Sequence, residues 1–199
     1  MKKFELTNEF ITNMFGTKLF RIRALVEFGD VEAGELGGYV EKESNLGHDD
    51  NAWVYDNAWV YGNARVYGDA LVYDNARVYD NAWVYGDAQV SGDAQVSGDA
   101  LVYGNARVYG NALVCGDARV CGDARVCGNG DYAYAHGFGS VNRTTTFFRL
   151  KDGGVGVRCG CFYGTLAQFR DKIRETHGET KKAQEYLMLA DLMKLRFEK

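Results

Sequence analysis

Between Asn51 and Asn129 the apolar positions recur with a fixed period of six. Alanine stands at 52, 58, 64, 70, 76, 82, 88, 94, 100, 106, 112, 118 and 124, and a valine follows each alanine by two positions. Residues two apart share one side of an extended chain, so Ala and Val form a dry side. The residue between them, and the Tyr, Ser or Cys after the valine, point the other way. The next two positions hold Gly or Asp, then Asn or Asp, which tolerate left-handed turn geometry best. Each hexapeptide thus predicts a short strand and a corner. A helix would scatter a six-residue repeat around its axis, and propeller blades need about 40 residues, so a β-solenoid is the architecture that fits.

The aliphatic residue followed four positions later by a small one, as in Val54 to Ala58, Val60 to Ala64 and every later pair, resembles the hexapeptide-repeat left-handed parallel β-helix family. That resemblance implies a mainly β protein, left-handed winding and three hexapeptides per triangular coil. With an 18-residue coil, side chains 18 apart stack at about 4.8 Å into ladders, and the Tyr and Trp residues point outward. One face carries Trp53, Tyr55, Tyr73, Ser91 and Tyr109, and a second carries Trp59, Tyr61, Tyr79 and Ser97. The third has the one aromatic ladder that no serine interrupts, and Tyr67, Trp83, Tyr85, Leu101 and Tyr103 are its expected oligomer interface. A homotrimer is expected, because hexapeptide solenoids resemble three-sided prisms and exposed aromatics beside arginine are the composition of interfaces.

Three segments follow: a strand and capping segment over 1–50, the repeat β-helix over 51–135, and a C-terminal module over 136–199. The alternation from Leu19 to Val26 predicts a strand, and Gly34 to Glu41 an irregular first coil. The run from Phe28-Gly29-Asp30-Val31 through Gly37-Gly38-Tyr39-Val40-Glu41 to Asn45-Leu46 is similar to the lead-in of uncharacterised phage and prophage repeat proteins, some of them labelled acetyltransferases on fold alone. After the repeat decays over 130–136, residues 144–150 and 155–163 predict a hairpin around Lys151-Asp152-Gly153-Gly154. Thr165 with Gln168 predicts a capping box for a helix ending at His177-Gly178, and a second helix runs from about Thr180 towards Phe197. The module expected is a small ββαα unit, a hairpin plus two helices.

Composition narrows the partners. The 199 residues are 46% hydrophobic and 25% charged with net charge −4, which suits one globular domain or two small ones. Proline is absent and glycine counts 25, which favours tight turns over flexible linkers. Without an apolar leader or an apolar run of bilayer length, the chain is expected in the cytoplasm, the host cytosol, with its five cysteines reduced and no membrane partner. Residues 51–129 hold five Arg, no Lys and nine Asp, so no basic stripe is present for a nucleic-acid polymer.

Acyl transfer is the activity that the family resemblance implies, with a histidine base near a subunit boundary and acyl-CoA along the coils. The repeats contain no histidine; His48, His136 and His177 lie in the flanks, and His136 is the one catalytic candidate. Cys159, Cys161 and His177 supply at most three ligands where structural zinc takes four, so no metal and no cofactor are expected. Tyr134, His136, Phe138, Arg143, Arg149 and Arg158 combine planar aromatics with guanidinium groups, with Lys151, Lys172 and Arg174 close in sequence. They are the expected ligand-binding set, suited to an anionic, nucleotide-like ligand or an acidic protein patch. The expectation is a non-catalytic, oligomeric binding scaffold, phage or prophage encoded, capturing or inhibiting a host protein or a small anionic ligand, in counter-defence. Two alternatives are an acyl-CoA-dependent acyltransferase and a structural assembly component.

Overall fold

A computed structural model describes residues 2–138 and 143–198. The chain opens with an antiparallel pair, β1 (Phe4–Thr12) and β2 (Lys18–Ala24), followed by β3 (Leu36–Val40). β3 pairs antiparallel with β2 on one side and, through Tyr39 with Trp59 and Val40 with Val60, in parallel with the repeat on the other. Thirteen two-residue strands follow, one every six residues from β4 (Trp53–Val54) to β16 (Arg125–Val126). Parallel partners lie 18 residues apart, as in Gln89 with Arg107 and Val90 with Val108. The strands sort into three sheets, β5-β8-β11-β14 continuing the β1-β2-β3 cap, β4-β7-β10-β13-β16, and β6-β9-β12-β15, giving a mainly β solenoid of about five turns.

The period of six builds this because each unit repeats the same local solution. Every repeat alanine and valine from Ala52 to Val126 is fully buried in one continuous core. Backbone bonds run from coil to coil, for example Tyr85 N–H to Val102 O at 3.0 Å, so the strand edges are satisfied along the stack. At the corners, Asn side chains continue the ladder, as with Asn51 donating to Asp69 at 2.7 Å and Asn81 to Asp99 at 3.0 Å.

The N-terminal segment closes the first coil. Trp53, expected on the outer surface, is instead wholly buried, with the rings of Phe4 and Phe28 set edge-on to it at 6.2 and 5.3 Å. The reason is close packing at Gly37, where a Cβ would stand 2.5 Å from the Val54 carbonyl oxygen and 2.8 Å from the Trp53 ring. Lys3 reaches under the same cap and donates to the carbonyls of Ala52 at 2.8 Å and Asp50 at 3.2 Å.

The C-terminal module is larger than a hairpin and two helices. Residues 132–138, placed in the decaying repeat and its exit, form strand β17 (Tyr132–Phe138) across the boundary expected at 135–136. The strand expected over 155–163 breaks at Gly160, whose φ of 58° turns the chain between β19 (Val155–Cys159) and β20 (Phe162–Thr165). With β18 (Arg143–Arg149) these make a four-stranded antiparallel sheet, ordered β17-β18-β19-β20, where two strands were expected. Helix α1 (Leu166–His177) starts on the predicted capping box, Thr165 accepting from Gln168 N–H, and ends at Gly178; helix α2 (Lys181–Phe197) follows an N-cap at Thr180.

This sheet is two-faced. Phe147, Val157 and Phe162 pack on Phe169, Ile173, Tyr186 and Met193 of the helices. Tyr132 and Phe148 join the solenoid core instead, and Thr146 Oγ1 accepts from Arg119 N–H at 2.9 Å. The module thereby covers the last coil and shields the open strand edges there.

Candidate functional site

The alternation of the C-terminal sheet decides which side chains can meet. On β17, Tyr132, Tyr134 and His136 face the solenoid. Tyr132 donates to Leu113 O at 2.6 Å, the Tyr134 hydroxyl lies over Gly116, and His136 sits 3.7 Å from Asp117. Ala133 and Ala135 face the helices. A register shift between Ala135 and Phe138 then turns Phe138 to the helix side, opposite Arg143. The six residues expected as one binding set are therefore divided between two sides of a sheet.

Arg143 is the member that reaches a cavity. It lines a cleft of about 270 Å³ between the sheet and α1, together with Cys159, Cys161 and Phe162 of the β19–β20 hairpin, Lys172 and His177 of α1, and Tyr186 of α2. Gly160 makes this placement possible, since a Cβ there would fall 2.0 Å from the Arg143 guanidinium. Phe169, Lys172, Ile173, Thr176 and His177 line the cleft because spacings of three and four put them on one helix face. The Tyr186 ring is stacked with His177, its hydroxyl donates to Phe138 O at 3.3 Å, and burial beside Cys159 pushes its pKa up to about 12. Thr145 Oγ1 donates to Cys159 Sγ at 3.2 Å, which fixes the thiol in the wall.

The charge of the cleft is one-sided. Among the described residues no carboxylate lines it and Arg143 makes no ion pair. Lys172 is shared with Glu175 of its own helix at 2.9 Å. A guanidinium, an ammonium and an imidazole around aromatic and aliphatic surface can hold an anionic group on an apolar body.

The other expected residues have structural partners. Arg149 donates to Gly153 O at 3.1 Å and Phe197 O at 3.0 Å and lies over the Phe197 ring, tying the β18–β19 turn to the end of α2. Arg158, on the solenoid side of β19, donates to Cys161 O at 3.3 Å. His136 meets both Thr144 Oγ1, at 2.9 Å, and Asp117 through the same nitrogen, Nδ1, whereas a nucleophile–base–acid relay uses opposite ring nitrogens. Cys159, Cys161 and His177 share the cleft, yet no group of three His, Cys, Asp or Glu among the described residues could hold a metal ion. Of the expected interface, Tyr67, Tyr85 and Tyr103 form a continuous stack with centroids 5.0 Å apart, and Trp83 stands outside it, 39% exposed, beside Arg65. The hydropathy pattern gave no sign of Tyr186, Phe162 and Gly160 as parts of one site; the helical spacing around Lys172 was the one available signal.

A solenoid with a four-stranded sheet and two helices over its last coil is a β-solenoid repeat protein in which the irregular end carries the varied chemistry. The repeats match the YdcK beta solenoid repeat at residues 58–74, 70–86, 76–92, 94–107, 100–116 and 106–122, which together cover less than half of the chain. No curated protein matches it. No helix among the described residues is long and apolar enough to cross a membrane.

Proposed function

We propose that this protein is a non-catalytic, oligomeric binding scaffold whose C-terminal cleft captures a small anionic ligand with an apolar or aromatic body. The observation that carries the reading is the convergence of Arg143, Lys172 and His177 with Phe162 and Tyr186 on one cavity that no carboxylate lines among the described residues. A cavity of about 270 Å³ favours a small molecule over an acidic protein patch, which would need a broader surface. The solenoid, rigid through its coil-to-coil bonds, holds the module and supplies the surface for a homotrimer through Tyr67, Trp83, Tyr85, Leu101 and Tyr103. A phage or prophage origin, a left-handed coil and a cytoplasmic setting belong to the same proposal. Acyl transfer has less support, because His136 lies on the opposite side of the sheet from the cleft.

Native mass spectrometry of the full chain purified from its source tests the reading. The expected spectrum shows an added small mass on each copy that is lost in Arg143→Ala. Identical added masses in wild type and Arg143→Ala, or none in either, would overturn it.

A further inference from the structure

On the outer surface of the solenoid, the residue after each valine forms a column with one rung every 18 residues. On the third face that column is Tyr67, Tyr85 and Tyr103, and the Tyr85 ring is held between the other two with centroids 5.0 Å away on each side and planes within 2°. The first face has the same column with one ring missing: Tyr73 directly follows β7, Tyr109 follows β13, and Ser91 lies between them, directly after β10. The backbone runs through this rung without a break, with Tyr73 N–H bonded to Val90 O at 3.0 Å, Ser91 N–H to Val108 O at 2.9 Å and Tyr109 N–H to Val126 O at 2.9 Å. The gap is therefore one of side chain only, framed by a scaffold that cannot collapse to close it. A cavity of about 290 Å³ opens there, lined by Tyr73, Ser91, Tyr109, Arg107 and Arg125.

We infer that this missing rung is a second ligand site, in which a planar aromatic ring bearing an anionic group inserts between Tyr73 and Tyr109. Two rungs span about 10 Å, so an inserted ring lies about 5 Å from each neighbour, the arrangement that Tyr85 occupies on the third face. The buried Ser91 hydroxyl forms the floor, and the two arginines meet the anion. Arg125 is held in place by donating to Asn105 O and Ala124 O, both at 2.9 Å, while Arg107 makes no ion pair among the described residues. The second face lacks such a slot, since its serine, Ser97, has Tyr79 on one side and Cys115 on the other. This site is independent of the C-terminal cleft and lies on a different part of the molecule.

The test is a calorimetric titration of the full chain with AMP, adenosine and 4-hydroxybenzoate. Ser91→Tyr restores the ladder and fills the slot with the ring the third face already carries, so it is expected to keep or raise Tm while weakening AMP binding about tenfold or more. Ser97→Tyr and Arg143→Ala are expected to leave the slot's affinity unchanged. Arg107→Gln is expected to weaken AMP about tenfold and leave adenosine unaffected. Tighter binding of 4-hydroxybenzoate than of AMP assigns the anion to an aromatic carboxylate, and the reverse assigns it to a nucleotide. Equal binding by wild type and Ser91→Tyr, or no binding of either anion to the wild type, overturns the inference.

Discussion

At the scale of single residues, the fifth position of each hexapeptide explains why only two residue types occur there. Glycine takes it with φ between 60° and 70° along most of the stack, and Asp56, Asp74 and Asp80 take it at 52° to 59°. Aspartate tolerates this geometry because its carboxylate accepts a bond from the coil below, Asp74 Oδ2 from Gly92 N–H at 2.9 Å and Asp80 Oδ2 from Gly98 N–H at 3.2 Å. Asp74→Ala keeps the Cβ and loses the bond, and is expected to cost about 1–2 kcal/mol, a fall of a few degrees in Tm for a chain of this size. Asp74→Gly loses the bond and relieves the backbone, and should stay closer to wild type. Equal melting of the alanine and wild-type proteins would remove the conformational reason given for this position.

Elements show which parts of the molecule a one-dimensional pattern can encode. The Ala-x-Val period was legible because every coil repeats one unit with one burial pattern, and the Thr165–Gln168 capping box because its partners are three residues apart. The cleft was not, since Arg143, Phe162, Lys172 and Tyr186 come from four elements and meet only because a bulge before Phe138 and the turn at Gly160 set the sheet's register. Trp53 misled for a related reason: its position in the repeat points outward, and the covering strands lie far away in the chain. The cap depends on β3 approaching the first coil closely, so Gly37→Ala should loosen it. Faster hydrogen exchange in β1 and β2 and a lower Tm are expected, whereas Gly130→Ala, with nothing within 4 Å of its added Cβ, should match wild type. Unchanged exchange in Gly37→Ala would contradict the account of the cap.

For the whole molecule, the stacked tyrosines and the capped ends set the response to pH and to assembly. Burial raises the pKa of Tyr61, Tyr67, Tyr85, Tyr103 and Tyr132, reinforced at Tyr61, Tyr67 and Tyr103 by a neighbouring tyrosine and at Tyr85 and Tyr103 by the nearby Cys121. A group whose folded pKa is raised gives stability that is present below its unfolded value, about 10, and is lost as the pH climbs through the folded one. Lys3 acts in the opposite sense: desolvation lowers its pKa to about 8, so the folded state gains stability between that value and 10.5. Burial also raises the pKa of the Cys121 thiol, which opposes Lys3 above pH 9.0, so Tm should hold from pH 8 to 10 and then fall; a steady decline beginning at pH 8 would contradict the Lys3 assignment, and no fall above pH 10 would contradict the tyrosine one. The proposed trimer gives a separate expectation, that Trp83→Glu lowers the mass seen by light scattering from three copies to one, and a wild-type monomer would refute the interface. Most directly, the central proposal is tested by calorimetric titration with phenyl phosphate of the full chain carrying Ser91→Tyr, which closes the solenoid slot and leaves the C-terminal cleft as the site being read. On that background the account predicts saturable binding, a loss of about tenfold or more when Arg143→Ala is added with Tm almost unchanged, and retained binding with a lower Tm when Arg149→Ala is added. Undiminished affinity in Arg143→Ala would contradict it.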